Sequence, residues 1–158
     1  EYIQNHLFIL SGFYGAVRPF DGVIPYRLEM QAKLQGENFK NLYDFWREDI
    51  AKYITDGRDT VINLASDEYF KAVKKYFPEN IRVVTCVFAD LENGKLKEKG
   101  VKCKMARGEI VRYMAENNVQ SPEELKKFQR QGYAYRADLS SDDRFVFVQK
   151  KICENHRF

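Results

Sequence analysis

The sequence predicts a mixed α/β domain, a sheet with helices flanking it, and three observations carry that expectation. Short apolar runs rich in β-branched residues alternate with amphipathic stretches of helical spacing. An Asn-Gly pair, Asn93-Gly94, sits between two strand-like runs, the dipeptide favoured in tight hairpins. A Ser-Pro-Glu-Glu sequence at Ser121–Glu124 combines an N-cap serine, a proline at the first helical position and a glutamate three residues past the cap.

The elements follow in order. Leu7 to Leu10 reads as a buried strand that starts almost at the first residue, which suggests that further structure precedes it. Gly12 to Pro25 holds three glycines and two prolines and reads as an irregular loop, yet Phe13, Tyr14, Val17, Phe20, Val23 and Ile24 make it apolar enough to pack. Asn41 to Ile54 places Leu42, Phe45, Trp46, Ile50, Tyr53 and Ile54 at helical spacing, and Gly57 closes it. Thr60 to Ala65 is a β-branched strand. Ser66 is positioned to cap a helix from Asp67 to Phe77, with Asp67 and Glu68 at its positive end and Pro78 after it. Ile81 to Phe88 is a second apolar strand, and Lys95 to Lys104 returns antiparallel after the Asn-Gly turn. Helices are expected from Ala106 to Asn117 and from Pro122 to about Gln129, then a strand pair, Tyr133–Ala137 and Arg144–Lys150.

A chain of 158 residues with 44% hydrophobic and 15% aromatic content can bury one core, so a single domain is expected over its whole length and disorder is not. No apolar run reaches the roughly 20 residues that span a bilayer, and the start has none of the features of a signal peptide. The expected location is cytoplasmic, with no membrane partner. Cys86, Cys103 and Cys153 are odd in number and far apart, which argues against a disulfide framework. With only His6 and His156 as imidazoles, neither a metal site nor a cofactor is expected. The net charge of +3 is unevenly placed: residues 1–70 hold 7 Lys/Arg against 11 Asp/Glu, and residues 71–136 hold 15 against 8. That basic middle suggests an anionic partner.

Two constellations could carry chemistry. The first is polar residues set among apolar motifs: Tyr14, Arg18, Arg27 and Glu29 in the early segment, with Asn63, Ser66 and Glu68 where a strand end runs into a helix start. Charges in apolar surroundings need partners. Either Arg18, Asp21, Arg27 and Glu29 form an internal lattice, or an arginine fork faces a phosphate or carboxylate. The second is basic. On a strand Lys95, Lys97 and Lys99 share one face; after a bulge at Gly100, Lys102 and Lys104 share another and lead to Arg107 at a helix start. Such a stripe suits phosphate contacts, although edge-strand lysines also block aggregation. Arg112 completes the phosphate-binding candidates, and can instead pair with Glu109 or Glu116 at helical spacing. No nucleophile elbow or catalytic pair is visible, so an enzyme is the lesser expectation.

Four segments together resemble the YaaA family of bacterial peroxide stress proteins: Leu10-Ser-Gly-Phe-Tyr-Gly-Ala-Val-Arg-Pro-Phe-Asp, Pro25-Tyr-Arg-Leu-Glu-Met, Asn63-Leu-Ala-Ser-Asp-Glu-Tyr-Phe and Lys104-Met-Ala-Arg-Gly. The resemblance covers nearly the whole chain and implies that it matches the C-terminal two-thirds of a longer protein, whose earlier segment carries a Ser-Pro-Ala-Lys motif. It also implies a cytoplasmic protein that binds double-stranded DNA and limits free iron and oxidative DNA damage under hydrogen peroxide. A helix–hairpin–helix element would lie on Ala106–Asn117 and Pro122–Gln129, although Asn117–Ser121 lacks the glycines usual in that hairpin. The rival expectation is an enzyme or binder of a small, nucleotide-like anionic ligand held by the polar motif residues.

Overall fold

A computed structural model describes residues 1–149, and within them the chain forms a mixed α/β fold divided into two compact units, Glu1–Val83 and Val84 onward.

The first unit opens with a short helix, α1 (Tyr2–His6), where the sequence gives no helical signal. The first strand, β1 (Ile9–Ser11), lies two residues later than the expected run and forms a hairpin with β2 (Gly15–Val17), pairing Ile9 with Val17 and Ser11 with Gly15. A strand therefore interrupts the expected loop. The rest of that segment is less packed than its composition suggests: Phe13, Phe20, Val23 and Ile24 are all at least half exposed.

The single helix expected over Asn41 to Ile54 is two, α2 (Leu42–Trp46) and α3 (Asp49–Thr55). Asn41 caps α2, its side chain accepting from the Asp44 N–H at 3.0 Å. Arg47 breaks the run with a φ of 45°, and at the break the Trp46 indole turns to the hairpin and donates to the Gly12 carbonyl at 3.0 Å. The strand β3 (Thr60–Asn63) leads into α4 (Asp67–Lys74), with Ser66 at the N-cap position. The Ser66 side chain makes no capping bond there. Met30, Leu42, Ile50, Ala51, Ile54, Ala72 and Val73 form the core of this unit.

The second unit is built on β4 (Arg82–Glu92) and a sheet in the order β4, β8 (Arg144–Gln149), β7 (Tyr133–Tyr135), β6 (Gln129–Arg130), with β5 (Lys95–Lys97) hairpinned onto β4. The Asn-Gly turn forms as expected: Asn93 and Gly94 both have positive φ, 50° and 76°, and Glu92 pairs with Lys95. The β8 strand pairs parallel with β4 and antiparallel with β7. Both faces of the β4–β8 pair are covered, as parallel pairing favours. Val87, Ala89, Val146 and Val148 pack on one face. On the other, Phe88 stacks on Phe147 at 5.1 Å, and Phe128 meets both edge-on.

One expectation fails here and another is met in a tighter form, each for an identifiable reason. The Lys95–Lys104 strand stops at Lys97, and α5 runs from Gly100 to Glu116. Burial of Cys103, Ala106 and Ile110 has helical, not alternating, spacing, while Val101, which a strand would place with Cys103, is 75% exposed. The element after it, Pro122–Lys127, is a six-residue 3-10 turn. It buries Leu125 and Phe128, three residues apart as that tighter winding requires, before the chain enters β6. The expected helix pair is therefore one α-helix and one short, capped 3-10 helix, and the helix–hairpin–helix element is not confirmed. Lys150, the last residue of the final expected strand, and Cys153 and His156 lie outside the described residues.

Candidate functional site

In the first unit the polar motif residues separate into two groups. Arg18 turns onto the Phe8 ring at 4.1 Å, donates from Nη2 to the Asn5 carbonyl at 3.1 Å, and receives Arg58 over the same ring at 4.9 Å. Asp21 accepts the backbone N–H of Arg18 at 2.7 Å and not its guanidinium. Arg27 and Glu29 are exposed, so the segment is not an internal lattice of arginines and carboxylates.

The other group gathers around the start of α4. Glu68 accepts the Gln31 N–H at 3.2 Å, and its backbone carbonyl accepts the Tyr43 hydroxyl at 3.1 Å. Tyr69 lies within electrostatic reach of Glu68, Tyr26 and Glu29; burial first, and then the charge on Glu68, pushes its phenol up. The same two causes raise Tyr43. Buried Asn63 accepts the Ala65 N–H at 3.0 Å, which shapes the turn from β3 into α4.

Ser11 orders the hairpin beside them. Its Oγ accepts the N–H of Phe13 at 3.2 Å and of Tyr14 at 2.9 Å, and lies 2.5 Å from the Tyr26 hydroxyl. A serine oxygen has two lone pairs, and both are taken by amides, so the serine proton goes to Tyr26. The Tyr26 proton is then left to donate elsewhere. Tyr14 is committed differently: its hydroxyl accepts the Ile24 N–H at 3.0 Å. Ser11, Tyr26, Tyr43 and Tyr69 were missed as site residues; all but Tyr43 fall within the resembling motifs, which was the available signal.

In the second unit the phosphate candidates all lie on α5, with different surroundings. Lys104 is exposed and makes no hydrogen bond or ion pair among the described residues. Lys102 donates to Gln149 Oε1 at 2.7 Å and stands 3.8 Å from Asp90. Arg107 is 22% exposed and meets Glu98 at 3.4 Å. Arg112 pairs with Glu116 at 2.7 Å, one helical turn on, the structural role its spacing allowed. Of the lysines once placed on a strand, Lys99 is the N-cap residue of α5, and Asp90 at 2.7 Å with Glu92 at 2.9 Å hold its ammonium well above the usual lysine range.

Among the described residues no group of three His, Cys, Asp or Glu is placed to hold a metal ion, and no helix is long and apolar enough to cross a membrane.

Fold and site together define a mixed α/β protein with a tyrosine-rich, carboxylate-bearing turn in one unit and a basic helix in the other. The model of the family described as peroxide stress protein YaaA matches residues 1–139, and the chain belongs to that family. It is 53% identical to a UPF0246 protein of Desulfitobacterium hafniense, over 94% of this chain and 59% of the relative. A UPF0246 protein of Pediococcus pentosaceus is 51% identical over 96% and 60%, and one of Limosilactobacillus reuteri 49% over 93% and 59%. The chain thus spans about three-fifths of the length of the curated relatives it matches.

Proposed function

We propose that α5 contacts the phosphate backbone of duplex DNA, within a cytoplasmic peroxide-stress protein that limits free iron and oxidative DNA damage. The observation that carries the DNA reading is Lys104, an exposed cation with no acidic partner among the described residues, on the helix that also bears Lys102 and Arg107. Phosphate contacts need a cation free to leave water for the backbone, and Lys104 is that group. Lys102 joins by leaving Gln149 and its longer, 3.8 Å contact with Asp90, whereas Arg107 and Arg112 are held more closely by glutamates. Titration of the 158-residue chain against unrelated duplexes tests this. Affinity should be similar for all sequences and fall steeply between low and physiological salt. Sequence-selective or salt-independent binding would contradict it.

A second reading is favoured by one observation, the Tyr26 hydroxyl left to donate beside Tyr69, Glu29 and Glu68. There the motif residues hold a small ligand, with exposed Arg27 the cation for an anionic group and Arg18 committed to Phe8. If so, Arg27→Ala abolishes ligand binding while the fold keeps its stability. A nucleotide panel that binds the variant as well as the wild type would remove this reading.

A further inference from the structure

We propose that Val101 and Met105 rest on deoxyribose rings of duplex DNA, and that this apolar contact makes α5 prefer DNA to RNA. The proposal rests on the phosphate-contact reading of α5 and adds to it two side chains that charge alone leaves unexplained. Val101 is 75% exposed, more than any other large apolar side chain among the described residues, and Met105 is 56% exposed. Exposed apolar residues scattered singly need no explanation. These two flank Lys104, the exposed lysine that has no partner among the described residues.

The helix sets the three on one face. Residues three and four apart on an α-helix are neighbours, so Val101, Lys104 and Met105 form one patch, with Met105 about one turn beyond Val101. The opposite side of the helix is taken. Cys103, Ala106 and Ile110 are buried there, and the Cys103 thiol donates to the Phe88 carbonyl of β4 at 3.0 Å. Asp90, two residues on in β4, holds Lys99 at 2.7 Å. Gly108, one turn past Lys104, has open space where a side chain would stand, so nothing overhangs the patch at that point. Val101 gains nothing for the helix itself, since β-branched residues are poorer helix formers than alanine.

Size and charge select the partner. Two side chains fall far short of the roughly 800 Å² per partner of a stable protein interface. Membrane binding likewise scales with the apolar area buried. A nucleic-acid strand needs no more than this patch, because its phosphates supply the attraction. Along such a strand anionic phosphates alternate with sugars, and the patch sets a cation between two apolar groups. Sugar contacts carry no base information, so binding stays indifferent to sequence. They do distinguish the sugar. Deoxyribose has only a CH2 at its 2′ position, whereas ribose has a hydroxyl that both donates and accepts. Pressed against a valine and a methionine, that hydroxyl loses its water and gains no good partner.

The test is titration of the 158-residue chain with a short DNA duplex and with the RNA duplex of the same sequence. The wild type should bind DNA on the order of tenfold tighter, the worth of one hydroxyl left unsatisfied. Val101→Thr combined with Met105→Gln keeps side-chain size and offers polar groups to the ribose. This double variant should bind DNA several-fold more weakly, bind RNA no more weakly, and lose most of the preference. Its salt slope should not change, because no charge is altered. Both side chains are exposed, so its melting temperature should match the wild type. Equal binding of DNA and RNA by the wild type overturns the proposal. So does a preference that survives in the double variant, which is reading of duplex shape alone, or a fall in melting temperature that accounts for the lost binding. Lys104→Gln separates this contact from the phosphate reading. A slope flattened by Lys104→Gln with no effect of the double variant removes only the sugar contact. A full effect of the double variant with an unchanged slope in Lys104→Gln removes only the phosphate contact, and a chain that binds neither duplex overturns both.

Discussion

Gly15 lies beneath Trp46: a Cβ built on this glycine would stand 2.9 Å from Cζ3 of the indole, and its φ of +75° is one that L side chains rarely adopt. The β1–β2 turn and the α2 break therefore hold each other in place, since the same indole donates to the Gly12 carbonyl. Gly15→Ala should destabilise the first unit by about 1–3 kcal/mol, through backbone strain and displacement of the ring. Trp46 is the single tryptophan of the chain, so its fluorescence through a urea titration reads this directly. An unchanged midpoint would mean the indole is free to move aside.

Ser11 should be nearly as costly to truncate. Ser11→Ala leaves the Phe13 and Tyr14 amides without their acceptor and removes the proton given to Tyr26. A loss of about 1–3 kcal/mol is expected. By contrast, Arg27→Ala changes an exposed side chain and should stay within about 0.5 kcal/mol of wild type. Urea curves on the two variants check both at once.

Cys86 and Cys103 are buried. Burial pushes the Cys86 thiol up to about 12, and burial, then the charge on Glu98, raises Cys103. The thiolate is the reactive form. In a Cys153→Ser background neither thiol should react with a thiol reagent at neutral pH until the protein is unfolded. Rapid modification of the native protein would show that the second unit opens easily.

Several carboxylates, half-buried or exposed, titrate low. The Gln120 and Ser121 amides, in that order, depress Glu124; Arg112 and then Arg130 depress Glu116; Arg136 depresses Asp138. A depressed folded value means that the stabilisation is complete above the unfolded value and is lost as pH falls through the folded one. Stability should hold above about pH 5 and decline below the ordinary carboxylate range near 4. Glu124→Gln should flatten part of that decline. Urea midpoints measured down a pH series check the direction.

Local chemistry was legible in the sequence where it acts alone. The Asn93-Gly94 turn formed with an antiparallel return as expected, and Glu124 reaches back to the Ser121 N–H at 2.9 Å as the capping pattern implies. What failed was decided by tertiary contact. The alternation of Lys95, Lys97 and Lys99 suggested a strand, but Cys103, Ala106 and Ile110 find their burial only on a helix. The Arg47 break follows from where Trp46 goes, which spacing along one helix does not reveal. A second hairpin was readable and missed: Gln131-Gly132, with φ of 51° and 77°, turns β6 into β7 just before Tyr133. Of the site, the motif residues were legible as polar groups in apolar runs. Their separation into Arg18 on Phe8 and Glu68 beside Tyr69 was not, because residues far apart in sequence set it. Asp90 carried a signal that went unread, a carboxylate at the end of an apolar strand.

The phosphate contact of Lys104 is tested most directly by the salt dependence of duplex binding in Lys104→Gln. The side chain is exposed and has no partner among the described residues, so the variant should fold and melt as the wild type does. Each phosphate contact releases counterions, and losing one lowers the slope of log affinity against log salt by about 0.9. Lys104→Gln should therefore weaken binding to unrelated duplexes alike and flatten the slope by about that amount. A folded variant with unchanged affinity and slope would contradict the account.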